Sequence, residues 1–144
     1  MSKNEKSEMM KKLFISGSLS LLVYVFSNNW GTALIVLGTN LRYFLFAKKE
    51  AYKTNLVFYI CFFIHLIIGI ITFTELIDIL SISASLFGCF LTWFCNPQQV
   101  RKGFLLTDSL WVIFNLSKGL YIQSINSFIG VISKLFFIIK NRKK

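Results

Sequence analysis

Proline occurs once in this chain, at Pro97, and histidine once, at His65. Only six acidic residues stand against 16 lysines and arginines, and there are three cysteines. Each shortage excludes something. Cys61, Cys89 and Cys95 are odd in number, fall in apolar stretches and form no C-x-x-C pair. They read as small packing residues rather than a disulfide framework. With a single histidine and no clustered ligand spacing, no metal site or cofactor is expected. The apolar stretches hold no paired carboxylates, no H-E-x-x-H and no G-x-S-x-G, which leaves no acid–base or nucleophilic machinery and argues against an enzyme. No heptad or low-complexity tract appears either.

What the chain has in abundance is apolar sequence. Of its 144 residues 55% are hydrophobic, and the mean hydropathy is +0.63. A soluble domain of this length would expose too much apolar surface. Residues 56–73 form an apolar run interrupted only by His65, and a run of about 18 residues reads as a membrane span. Further candidates are 13–27, 31–47, 76–96, 104–118 and 121–139. The spans at 13–27 and 104–118 are short for a hydrocarbon core of about 30 Å and are expected to extend into polar flanks or thin the bilayer. Residues 1–12 are polar and read as a disordered cytoplasmic lead; no A-x-A-like cleavage site follows, so the first apolar run reads as a retained helix.

A formal charge of +10 on a soluble domain would point to nucleic acid. Here the charge sorts by segment instead. All but three of the 16 basic residues lie in 1–12, 48–53, 98–103 and 140–144. The exceptions are Lys118, in an outer loop, and Arg42 and Lys134, within helices. The positive-inside rule then puts both termini in the cytoplasm. The expected partner is the lipid bilayer, with basic flanks touching anionic lipid, and no nucleic acid.

Helical periodicity places the polar residues. Ser81, Ser85 and Gly88 share a face of the fourth span; Asp108, Trp111, Asn115 and Lys118 form one stripe on the fifth; Asn126, Gly130 and Ser133 share a face of the sixth, with Lys134 beside it. Such faces are expected to turn inward against one another. Pro97 cannot donate to the Trp93 carbonyl, so the fourth helix kinks or ends there, and Pro97 with Gln98 reads as a gating hinge or as a plain kink. An internal repeat is visible: Gly38, Arg42, Phe44 and Lys48 recur as Gly130, Lys134, Phe136 and Lys140, and Ser18 and Leu19 as Ser109 and Leu110.

The ordered set of Pro97 and Gln98 at one helix end, Trp111 in the next helix, and Asn126 and Gly130 in the third resembles the PQ-loop triple-helix unit of the SWEET and SemiSWEET sugar transporters. Across 13–140, and most in 111–115 with 130–140, the chain resembles the bacterial YgjV-like inner-membrane proteins. The resemblance implies an all-α membrane protein of six transmembrane helices in a partial parallel repeat: an incomplete first bundle at 13–47, a linker helix at 55–74 and a three-helix bundle at 76–140, followed by a basic tail at 141–144. SWEETs have three helices, a linker and three more; here the leading helix is missing, which moves the N-terminus inside, as the lysines require. The resemblance further implies a multi-pass protein of the bacterial cytoplasmic membrane and a small-solute transporter.

Trp111 and Asn126 match the residues that line the sugar pocket in the resembled transporters. Their repeat equivalents, Ser20 and Leu34, do not, so no symmetric sugar pocket is expected. Trp111 and Asn126 are therefore candidates for stacking on and hydrogen bonding to a small polar or anionic solute, or else for packing and helix adhesion. Arg42 and Lys134 either attract an anion, or else snorkel to the cytoplasmic interface or pair structurally, with Asp108 as the nearest candidate partner. Asn115 is a weaker ligand candidate that reads more as helix adhesion, and His65 is a proton relay or an interhelical hydrogen bond. The alternative function is a non-transporting interaction or scaffold protein, and homodimerisation would cover the incomplete first bundle.

Overall fold

The computed structural model describes residues 3–52 and 54–142. The helices are α1 (Lys3–Phe26), α2 (Trp30–Phe46), α3 (Leu56–Thr72), α4 (Asp78–Phe94), α5 (Pro97–Ser117) and α6 (Tyr121–Arg142), with a 3-10 turn at Lys49–Ala51 and no strand among the described residues. The same turn chemistry closes the first and last hairpins. After α1, Asn28 takes a left-handed φ of 55°, its N–H reaches Val25 O at 3.0 Å and the Asn29 N–H reaches Tyr24 O at 3.0 Å. After α5, Gly119 takes φ 70°, its N–H reaches Leu116 O at 3.1 Å and the Leu120 N–H reaches Asn115 O at 2.8 Å. Both are Schellman ends, which need one residue able to adopt the left-handed conformation.

Two segments differ from the sequence expectation. Residues 3–12 are not a disordered lead but the first turns of α1. Met10 is fully buried beside Phe46, Trp93 and Val100, and Lys6 Nζ donates to Trp93 O at 3.1 Å and Cys95 O at 2.9 Å. Residues 98–103, left between the candidate spans 76–96 and 104–118, are helical as well, because α5 starts at Pro97. Asn96 accepts from the Gln99 N–H at 2.9 Å while Gln99 Oε1 accepts from the Asn96 N–H at 3.0 Å. That capping box, with proline at the first helical position, starts a helix at the site expected only to end one. Pro97 does leave the Trp93 carbonyl without its in-helix donor; Lys6 and Lys49 donate to it instead, placing two cations at the negative end of α4.

At the opposite end, ahead of the apolar stretch 79–94, the Asp78 carboxylate accepts from Thr74 N at 2.9 Å, Thr74 Oγ1 at 3.0 Å and Glu75 N at 2.9 Å. Lys118 pairs with Asp78 and with Glu75, each at 3.0 Å. Burial favours the neutral acid, but the two backbone N–H groups, the Lys118 ammonium and the Thr74 hydroxyl outweigh it and hold the Asp78 carboxyl down at about 2. Burial likewise disfavours the Lys118 cation, and the two carboxylates outweigh it and push the ammonium upward.

The closest packing is of α5 with α6, α1 with α2, and α4 with α5, while α2 also meets α3 and α4. The surface is largely apolar, and polar groups are buried in the interior beside the hydrophobic core. Phe26, Leu76, Ile71 and Ile122 are 72–83% exposed, whereas Asn40, Arg42, His65, Thr92 and Asn115 are buried. That inversion suits a chain whose solvent is lipid. By length and composition two helices can cross a membrane, Glu5–Phe26 and Tyr121–Lys140; Leu56–Thr72 and Asp78–Phe94 are shorter apolar helices.

Candidate functional site: a polar cavity between two hairpins

A cavity of about 380 Å³ lies between the α1–α2 hairpin and the α4, α5 and α6 helices. Small and hydroxylated residues line much of it, including Ser16 and Ser20 of α1, Thr39 of α2, Ser85 and Gly88 of α4, and Ser133 of α6. Their short side chains are what leaves the space open.

Trp111 and Asn126 both line this cavity. The Trp111 ring is held in place by Tyr24 at 6.3 Å and, edge to face, by Phe114 at 5.5 Å between centroids. Such aromatic neighbours fix a ring whose remaining face can stack on a solute. Lys134 also lines the cavity and forms an ion pair there with Asp108. Gly130 allows it: a Cβ at that position would come within 2.7 Å of Asp108 Oδ2.

Asn115 stands behind the wall rather than on it. It is fully buried, and its Oδ1 accepts from Tyr24 Oη at 2.9 Å. This bond joins α1 to α5 at the end of the cavity nearer the α1–α2 and α5–α6 turns, where Gln123 Nε2 also donates to Ser20 O at 3.3 Å. Arg42 does not snorkel. It is 2% exposed and lies behind Ser85 and Gly88, with Nη1 donating to Ser85 O at 2.7 Å and the guanidinium 4.9 Å from the Tyr43 ring centre. His65 is buried, with Nδ1 2.7 Å from Cys61 O and Nε2 3.3 Å from Thr39 Oγ1. A carbonyl only accepts, so Nδ1 carries the proton. Pro97 is buried at the head of α5, away from the cavity, and Gln98 lies in a surface recess with Glu8, Lys12 and Arg101.

The sequence reading missed Tyr24 and Gln123. A signal for Tyr24 existed: it stands to Asn115 at the same offset as Ser18 to Ser109, so the repeat already paired the two residues that are bonded here. No curated protein and no solved structure matches the chain. A family model described as a bacterial inner membrane protein matches residues 2–144, nearly the full length. A lipid-facing apolar surface around polar interior groups fits that description, and the chain belongs to the YgjV family of bacterial inner membrane proteins.

Proposed function

We propose that this protein is a small-solute transporter of PQ-loop type, crossing the bacterial inner membrane six times with both termini in the cytoplasm. The observation that carries the reading is the shared cavity: Trp111 and Asn126 border the same polar space as the Asp108–Lys134 pair. In this role Trp111 stacks on the solute, Asn126 hydrogen-bonds it, and Lys134 meets its polar or charged end. Asn115 acts through Tyr24 to hold the outer wall. The break at Cys95 and Asn96, followed by Pro97 and Gln98, is where the α4–α5 hairpin flexes as the cavity alternates between the two sides.

The matched turns support the parallel repeat. Asn28 and Gly119, the two left-handed turn residues, keep the Ser18-to-Ser109 offset, as do Trp30 and Tyr121, the aromatic residues that open α2 and α6. The arrangement is then two helices, the linker α3 and three helices. A second reading, a scaffold or interaction protein, is favoured by one feature: Ser16, Asn126 and Ser133 are exposed along the space between α1 and α6. A second copy of the chain seated there would cover them.

The test is uptake and efflux of a metabolite mixture in proteoliposomes. The wild type is expected to move at least one solute above empty vesicles, and Trp111→Ala to lower that flux at least tenfold while the protein still inserts. A wild type that moves nothing overturns the transporter reading.

A further inference from the structure

The groups around the cavity carry one more cation than they neutralise. Asp108 and Lys134 neutralise each other. Arg42 has no carboxylate at ion-pair distance among the described residues. The titratable groups beside it on the neighbouring helices are Cys61 and His65 of α3 and Cys89 of α4, none of them a carboxylate. One guanidinium N–H goes to Ser85 O, and Nε has no partner. A guanidinium cannot shed its charge by losing a proton. Buried and without a counter-ion, it is at a disadvantage that an incoming anion would remove.

A second observation points into the cavity. Ser85 is buried, lines the cavity, and its Oγ is without a partner. Between the guanidinium and the open space stands Gly88, which also lines the cavity. A Cβ there would sit 3.3 Å from Arg42 Nη2 and 3.5 Å from Nη1, so the guanidinium packs directly against the bare Cα of Gly88, one residue back from the cavity. The planar fork of arginine matches the two oxygens of a carboxylate or phosphate.

We infer that the cavity takes a small organic anion from the aqueous phase, its carboxylate or phosphate held by the Ser85 hydroxyl and by the Arg42 guanidinium that packs behind Ser85 and Gly88. This names the charge class of the proposed solute and rests on that reading for its transport. The body of the solute extends from this point toward Trp111 and Asn126, both of which line the cavity.

The experiment is calorimetric titration of the full chain in a neutral detergent at constant ionic strength. The probes are sodium benzoate, inorganic phosphate and, as an uncharged counterpart, benzyl alcohol. Saturable binding of benzoate or phosphate, without binding of benzyl alcohol, is expected. Arg42→Gln and Gly88→Ala should each weaken anion binding at least tenfold. The glycine variant keeps the cation but sets a methyl group against the guanidinium, displacing it, so it carries the test if Arg42→Gln does not fold. The inference is overturned if neither anion binds, if benzyl alcohol binds as well as benzoate, or if Gly88→Ala binds like the wild type. It is also overturned if only phosphatidylglycerol, titrated as mixed micelles, binds in an Arg42-dependent way, since the site would then belong to a lipid headgroup. Trp111-dependent flux of an uncharged solute without anion binding would remove this inference and leave the transporter reading standing.

Discussion

Asn115 is fully buried, yet only its oxygen is bonded; the amide nitrogen has no partner. Tyr24→Phe removes the one bond it has and strands the whole amide in an apolar place. The expected loss is about 1–3 kcal/mol of stability, because an unsatisfied buried group costs its full desolvation. Asn115→Leu added to Tyr24→Phe should recover a large part, since replacing both partners by apolar groups is close to neutral. Thermal unfolding in detergent of the two single variants and the double variant reads this directly; strict additivity would show that the bond carries no coupling. The polar stripe on α5 was legible as a stripe, but periodicity gives direction around the helix and not depth-specific partners. Asp108 and Trp111 face the cavity, Asn115 turns to Tyr24, and Lys118 reaches the carboxylates of Glu75 and Asp78. Arg42 was legible as a charge within an apolar helix; that no carboxylate among the described residues lies at ion-pair distance from it was not, because that depends on which residues of α3 and α4 pack against it.

At the scale of the helices, polarity was a poor guide to where α1 and α5 begin. Lysines and glutamates at 3–12 gave a solvated appearance, but Lys6 finds carbonyls that Pro97 and the end of α4 leave free, and Met10 finds the inner core. The start of α5 was readable in principle, since Asn96, Pro97 and Gln99 spell out a cap, a first-turn proline and the third box residue. Asn96 and Pro97 should therefore separate on mutation. Asn96→Ala removes the side-chain acceptor of the box and is expected to cost about 0.5–2 kcal/mol. Pro97→Ala loses no hydrogen bond, because the first-turn N–H is unpaired in any helix, and should change stability by less than about 1 kcal/mol. Chemical denaturation of both variants, with amide exchange over 98–102, checks this; equal losses would mean that the ring of Pro97 holds the start of α5 as much as the cap does.

For the whole molecule the constraint is the bilayer, and two facts act on it together. Large apolar side chains are exposed on every helix from α1 to α6, so a helix left in water would keep that surface wet. The basic residues gather at one end, where Lys6 and Lys49 meet the end of α4, whereas Lys118 is at the other end with Glu75 and Asp78. Helices of 17 residues, as α2, α3 and α4 are, reach about 25 Å at 1.5 Å per residue, short of a hydrocarbon core of about 30 Å. Six crossings thus require local thinning or polar ends drawn to the interface. The clustered lysines provide such ends on one side, and the Asp78–Lys118 pair on the other. Single cysteines introduced after replacement of Cys61, Cys89 and Cys95 should then divide cleanly. A thiol at Ser7, Thr54 or Gln98 is expected to react only with a permeant reagent from outside the cell, and one at Asn28, Glu75 or Gly119 also with an impermeant one. If the Asn28 and Gly119 thiols label from opposite sides, the two hairpins are not parallel copies, and the six-span arrangement fails with the repeat.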